Sequence, residues 1–295
     1  MAMVTNPGWR GTAAGVIRWP LTRLIIAVVW VGVWLFVPRA LHIDSAIARA
    51  VVASILVVAA YVIFVRVVER RPVRELGTQR MARELVEGLL LGALLFSATI
   101  GIIWALGGYS IVGVRPWTAI LPPLATAIVS GITEEILFRG IVFRIVEEGL
   151  GSWIALAISS LVFGGAHLAN PNASVMSSIA IALEAGVLLG GAFMVTRRLW
   201  LPIGLHAAWN FTQAGIFGTT ESGIDLGGLL HSKLSGPAWV TGGTFGPEAS
   251  IPAVLVALVA GSWVIVLAVR AGHIVPPYWR RAPSFVGERA ERPGR

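Results

Sequence analysis

Eight stretches of mostly apolar residues, each long enough to cross a bilayer as a helix, decide what this chain can fold into. A spanning helix needs about 20 such residues. The runs lie near 20–38, 46–66, 86–107, 117–139, 152–169, 175–196, 199–217 and 251–270. The fourth does not stop cleanly: its helical pattern continues through Ile141 to Glu148 before Gly149 and Gly151 interrupt it. Only 13% of the 295 residues are charged, about half the share usual in a soluble chain. No polar segment is long enough to form a separate soluble domain. The expected fold is all-α, a polytopic membrane helix bundle of about eight transmembrane helices with an integral, multi-pass location.

The basic residues set an expected orientation, because cytoplasmic loops collect Lys and Arg. With eight spans and the N-terminus inside, only Arg39, Arg49, Arg115 and Lys233 of the 23 basic residues fall outside. The other nineteen alternate correctly onto the inner side, so both termini are read as cytoplasmic. The net charge of +8 is thereby a topology signal, and no nucleic-acid partner is expected. The first long apolar run reads as a true span and not as a cleavable signal, since no small-residue cleavage pattern accompanies it. The stretch 218–250, rich in Gly, Thr and Ser, is expected outside as a loop packed over the bundle. The Arg- and Pro-rich tail 273–295 is expected to be disordered.

Cysteine is absent, which excludes thiol nucleophiles, disulfides and cysteine metal ligands. Ionisable side chains in the hydrocarbon core cost about 3 kcal/mol each on insertion scales and need a reason. Those within the spans are Glu134, Glu135, Arg139, His167, Glu184 and His206, with Asn210 as an uncharged companion. A hairpin turning at Gly149–Gly151 places Glu134 and His167 level, each about 25 Å from the turn at 1.5 Å per residue. His206 enters about 12 Å past Arg198 on the same scale, and Asn210 shares its helix face at i+4. Glu135 and Arg139, also i,i+4, read as a buried ion pair that fixes the helix. Glu184 reads as a packed, protonated acid or as a partner of Arg139. Glu147 and Glu148 read as solvated at a helix end, and Phe163, four residues before His167, as core packing.

Three short motifs succeed one another on these helices. Glu134-Glu135-Ile136-Leu137-Phe138-Arg139 is EExxxR, Phe163-Gly164-Gly165-Ala166-His167 is FxxxH, and His206-Ala207-Ala208-Trp209-Asn210 is HxxxN. In this order the chain resembles the CPBP family of intramembrane proteases, which includes CAAX-processing enzymes and bacteriocin-processing or immunity relatives. The resemblance covers about 115–255, and Gly242–Glu248 resembles a loop of bacterial members. It implies three N-terminal spans over 1–114 and a catalytic membrane core over 115–272. It also implies hydrolysis of a peptide bond in a membrane-associated peptide or protein, in a prokaryotic plasma membrane.

Residue by residue, a carboxyl at Glu134 can take a proton from water and return it to the leaving amine. His167 would orient or deprotonate that water, and His206 and Asn210 could donate to the tetrahedral oxyanion. Glu134, His167 and His206 also have the composition of a zinc site with one open position. A cofactor of one Zn²⁺ and a metal-free glutamate mechanism therefore both stand, with Asn210 favouring the second as an oxyanion donor. The site is read on the cytoplasmic side, with substrates arriving from the cytosol or laterally from lipid. HExxH, GxGD and GxSG motifs are missing, which disfavours other intramembrane protease classes. A non-catalytic scaffold or immunity protein is the alternative, and a proton-coupled transporter a weaker one, since no internal repeat is visible.

Overall fold

The computed structural model describes residues 19–281; the readings made for 1–18 and for 282–295 lie outside these residues. In chain order the helices are α1 (Pro20–Trp34), the short α2 (Val37–Ala40), α3 (Ala46–Ile63) and α4 (Met81–Ala105). Strand β1 (Tyr109–Val114) follows, then α5 (Leu121–Glu135), α6 (Arg144–Ala166), α7 (Val175–Ile181), α8 (Val187–Thr196) and α9 (Trp200–Asn210). Strand β2 (Leu230–Leu234), α10 (Ala238–Thr241) and α11 (Ile251–Arg270) complete it.

Among the described residues six helical stretches are long and apolar enough to cross a membrane, including Trp117–Ala169 at 53 residues. A straight helix of that length would measure about 80 Å, far more than a bilayer core of about 30 Å. The stretch breaks at Gly151, with φ 80° and ψ 169°, and doubles back. Ser159 donates to the Phe138 carbonyl at 3.0 Å, and the Phe138 and Phe163 rings meet edge to face at 4.8 Å. Only glycine suits the turn. Besides the positive φ, a Cβ on Gly151 would stand 2.7 Å from the Pro277 nitrogen.

Close helix approach depends on small residues, as is usual where lipid removes the hydrophobic drive between helices. A Cβ on Gly88 or Gly92 of α4 would collide with the Leu201 or Leu205 carbonyl of α9. On the other flank of α9, a Cβ on Gly131 would lie 2.9 Å from that of Ala207. These contacts wedge α9 between α4 and α5. Four stretches of the described residues are π-helical: Phe64–Val68 extends α3, and Ile136–Phe143, Ala182–Gly186 and Phe211–Ile216 extend α5, link α7 to α8 and extend α9. Such widened turns often mark functional sites.

Several expectations are corrected. The fold is not purely helical: β1 and β2 pair antiparallel, Tyr109 opposite Leu234 and Val114 opposite Leu230. Glu147 is not solvated but 3% exposed, because Arg197 donates to it at 2.8 Å and Ser152 donates to it as well. Glu148 accepts from Arg144 at 2.7 Å and pairs with Arg23. The tail does not leave the bundle at His273. His273 donates to the Val195 carbonyl at 2.8 Å, the Val275 amide to Ser152 at 2.8 Å, and Arg281 to the Glu147 carbonyl at 3.3 Å.

Candidate active site

Glu134 and Glu135 occupy the last turn of α5, and Arg139 follows in the π-helical stretch. Arg139 is completely buried and donates to Glu135 Oε1 at 2.8 Å and to the Ala185 carbonyl at 2.9 Å. That carbonyl belongs to the π-helical stretch Ala182–Gly186, where widening leaves carbonyls free for an outside donor. The Arg139 guanidinium also lies 4.7 Å from the Phe163 ring centre. Among the described residues Glu184 makes no ion pair with Arg139, and Glu135 is its direct partner, with the Glu134 charge also acting on it. The i,i+4 pair is thus a structural clamp, as its spacing implies.

The clamp has a further consequence. His206 Nδ1 lies 3.0 Å from Glu135 Oε1. A carboxylate already paired with a guanidinium only accepts, so Nδ1 carries the hydrogen and donates. His206 Nε2 then points away from the clamp and stands 3.9 Å from Glu134 Oε2. In the neutral ring Nε2 is an acceptor; it donates only as imidazolium, which Glu135 stabilises through the other nitrogen.

His167 closes α6. Its Nδ1 donates to the Phe163 carbonyl at 2.8 Å, which fixes the tautomer and leaves Nε2 as a basic acceptor. Phe163 touches both histidines, with ring centres 4.7 Å from His167 and 6.0 Å from His206. It is therefore the packing element between the two imidazoles and Arg139, a role beyond filling core. Asn210 donates to Ser130 Oγ at 3.1 Å, using one of its two amide hydrogens. Glu134 is the open member, with 28% side-chain exposure and an Oε2 that has no hydrogen-bond partner.

Glu134, His167, His206 and Asn210 line one cavity of about 210 Å³. The antiparallel hairpin and the glycine-wedged α9 bring them together from three helices. The same cavity is lined by three carboxyls that carry no helical motif: Glu184, Glu221 and Glu248. Glu184 is 1% exposed and its Oε2 has no partner. Glu248 accepts from the Ser222 amide. Burial, reinforced by the charges of Glu248 and Glu134, pushes the Glu221 carboxyl well above the ordinary carboxylate range. Burial likewise raises Glu248, against the lowering effect of its bonds to Ser222 and Gln213. Sequence reasoning had a signal for Glu248 in the Gly242–Glu248 loop and none for Glu221.

Where the cavity opens also departs from expectation. Its loop residues, Asn170, Glu221, Ser222, Ile224, Leu226 and Glu248, come from segments joined to the far end of α6 and to the 218–250 loop. They sit opposite the arginine-rich turns, because His167 ends its helix instead of lying midway along it. The donor set does not fit zinc as arranged. Among the described residues no three His, Asp or Glu side chains converge as metal ligands, although the Nδ1 bonds of both histidines leave each Nε2 free.

The family model described as Type II CAAX prenyl endopeptidase Rce1-like matches residues 116–212. Over this stretch, less than half of its length, the chain is similar to that family. The matched stretch holds Glu134, Glu135, Arg139, Phe163, His167, His206 and Asn210 but stops short of Glu221 and Glu248. The Bacillus subtilis (strain 168) protein named "Putative membrane peptidase YdiL" is similar over 87 residues at 30% identity, covering 30% of this chain. The match spans about a third of that protein's length. No solved structure matches the chain.

Proposed function

We propose that this protein is an intramembrane endopeptidase that hydrolyses a peptide bond with water activated by Glu134. The observation that carries the reading is the cavity in which an unpartnered Glu134 oxygen faces His206 Nε2 at 3.9 Å. A water held by Glu134 and the acceptor Nε2 of His167 loses a proton to Glu134 as its oxygen attacks the scissile carbonyl carbon. The carbonyl π electrons move onto oxygen, and the free amide hydrogen of Asn210 and the imidazolium form of His206 donate to that oxyanion. Collapse of the tetrahedral intermediate breaks the C–N bond, and Glu134 returns its proton to the departing amine. Preorganised donors of this kind are commonly worth about 3–4 kcal/mol each in transition-state stabilisation.

The oxyanion role assigned to His206 thus requires its charged state; Glu135 is already balanced by Arg139, so the imidazolium is balanced by the Glu134 carboxylate before proton transfer and by the oxyanion after it. The reading uses no metal, and a zinc ion held by Glu134, His167 and His206 is the alternative that the chelator arm below tests. The reading includes eight spans: the six long stretches, the second limb of the Gly151 hairpin, and Trp200–Ile216. It places the protein in a prokaryotic plasma membrane, in keeping with the Bacillus subtilis relative. The test is cleavage of a membrane-peptide library by purified protein in detergent. Glu134→Gln, His167→Ala and His206→Ala are each expected to abolish products present with wild type, and a strong chelator to leave the wild-type rate unchanged. Full activity in any one variant removes that residue from the mechanism, and loss with chelator restores the zinc alternative.

A further inference from the structure

The two ends of the bundle differ in charge, and only one of them opens onto the cavity. At one end the turns around 66–83, 144–152, 196–200 and 270–281 are tied together. Arg144 donates to Glu69 at 2.8 Å, Arg197 to Glu147 at 2.8 Å, and the Leu199 amide to the Glu75 carbonyl at 2.9 Å. At the other end the segments around 105–117, 167–175 and 217–250 are tied together. Tyr109 donates to the Phe217 carbonyl at 3.0 Å, Asn172 to Gly223 at 3.2 Å and Arg115 to Leu230 at 3.2 Å.

Among the described residues thirteen arginines belong to the first end, counted from Arg23 through Arg281. The second end and the 35–49 turn hold only Arg39, Arg49, Arg115 and Lys233, while Arg139 is buried between. Positive charge within a turn or two of the spans is retained on the cytoplasmic side, and acidic residues offset the bias little. The first end is therefore cytoplasmic. Every loop residue lining the cavity comes from the second.

We infer that the cavity opens to the non-cytoplasmic face, beneath the 218–250 loop, and receives a peptide segment that has already crossed the membrane or lies in its outer leaflet. The orientation stands on charge and geometry; only the word substrate rests on the peptidase reading. The reaction that supplies such a segment is translocation or membrane insertion. A lipid-modified C-terminus displayed in the cytosol would first have to cross the bilayer to reach Glu134. Glu221 and Glu248 line the cavity from that same face.

Because the chain has no cysteine, single cysteines report sidedness without a background to remove. His231→Cys in the exposed part of β2 and Tyr278→Cys near the arginine-rich end are made separately. Each is treated with a membrane-impermeant maleimide in right-side-out vesicles, before and after permeabilisation. The expected result is labelling of position 231 at once and of position 278 only after permeabilisation. The reverse pattern overturns the inference, and so does labelling of both positions before permeabilisation. In parallel, a membrane-impermeant peptide that detergent-solubilised protein cleaves is offered to sealed right-side-out and inverted vesicles. Cleavage in right-side-out vesicles alone is expected, and cleavage in inverted vesicles alone overturns the inference. If nothing is cleaved even in detergent, the peptidase reading fails while the labelling still decides the orientation.

Discussion

Gly131→Ala adds one methyl group where the two helices carrying the site are closest. The new Cβ would stand 2.9 Å from the Ala207 Cβ and 3.1 Å from its nitrogen. Carbon atoms rest at about 3.5–4.0 Å, so α5 and α9 must part by about 0.5–1 Å. Neither can yield freely, because Gly88 and Gly92 of α4 already press on the far side of α9. Two hydrogen bonds bracket position 131: Glu135 to His206 at 3.0 Å and Ser130 to Asn210 at 3.1 Å. Stretched by that amount, both leave the hydrogen-bonding range of about 2.7–3.2 Å. The overpacking should lower stability by about 1–3 kcal/mol. A misplacement of about 1 Å can reduce turnover by about 10²-fold. The assay is turnover of a quenched membrane peptide, with Gly101→Ala as control, since a Cβ at Gly101 meets nothing within 4 Å. Gly131→Ala with turnover within two-fold of wild type, beside an unaffected control, would refute the claim that this helix spacing holds the site.

Further outcomes follow from the buried charges. Glu135→Gln leaves Arg139 without a compensating charge, and breaking a buried pair costs about 3–5 kcal/mol; the thermal midpoint should fall steeply, whereas Glu134→Gln should leave it within a few degrees. Glu221 and Glu248 have raised folded-state values, so the folded chain keeps protons that the unfolded chain has lost. Their effect on stability is smallest below the ordinary value of 4.5, and stability declines as pH rises from there toward the folded values, by up to about 1.4 kcal/mol per unit for each group. Thermal midpoints at a fixed scan rate from pH 5 to 8 should show that decline, and Glu221→Gln should flatten it; an unchanged slope in the variant would count against Glu221 as its source. Gly151→Ala meets both a positive φ and a contact of 2.7 Å with Pro277, so increased protease sensitivity near residues 270–281 is expected.

The parts of the site that share a helix were legible because i,i+4 spacing alone places Glu135 beside Arg139 and His206 beside Asn210. The hairpin was legible from the glycines that end it. Glu221 escaped because a carboxyl on a loop has no periodicity, and only the folding of 218–250 carries it to the cavity. The β1–β2 pairing joins segments more than a hundred residues apart, beyond the reach of any local pattern. The burial of Glu147 depends on Arg197, fifty residues away. The side on which the cavity opens was not legible, because distances counted from the arginine-rich turns place Glu134 and His167 level without showing which loops cover them.

The most direct test of Glu134-dependent hydrolysis is mass spectrometry of peptide products formed in oxygen-18 water, with wild type and Glu134→Gln reconstituted side by side. The account predicts new carboxyl termini carrying one heavy oxygen with wild type and no products above background with the variant. Equal, labelled products from both proteins would contradict it, since peptide hydrolysis would then proceed without the residue on which the site is centred.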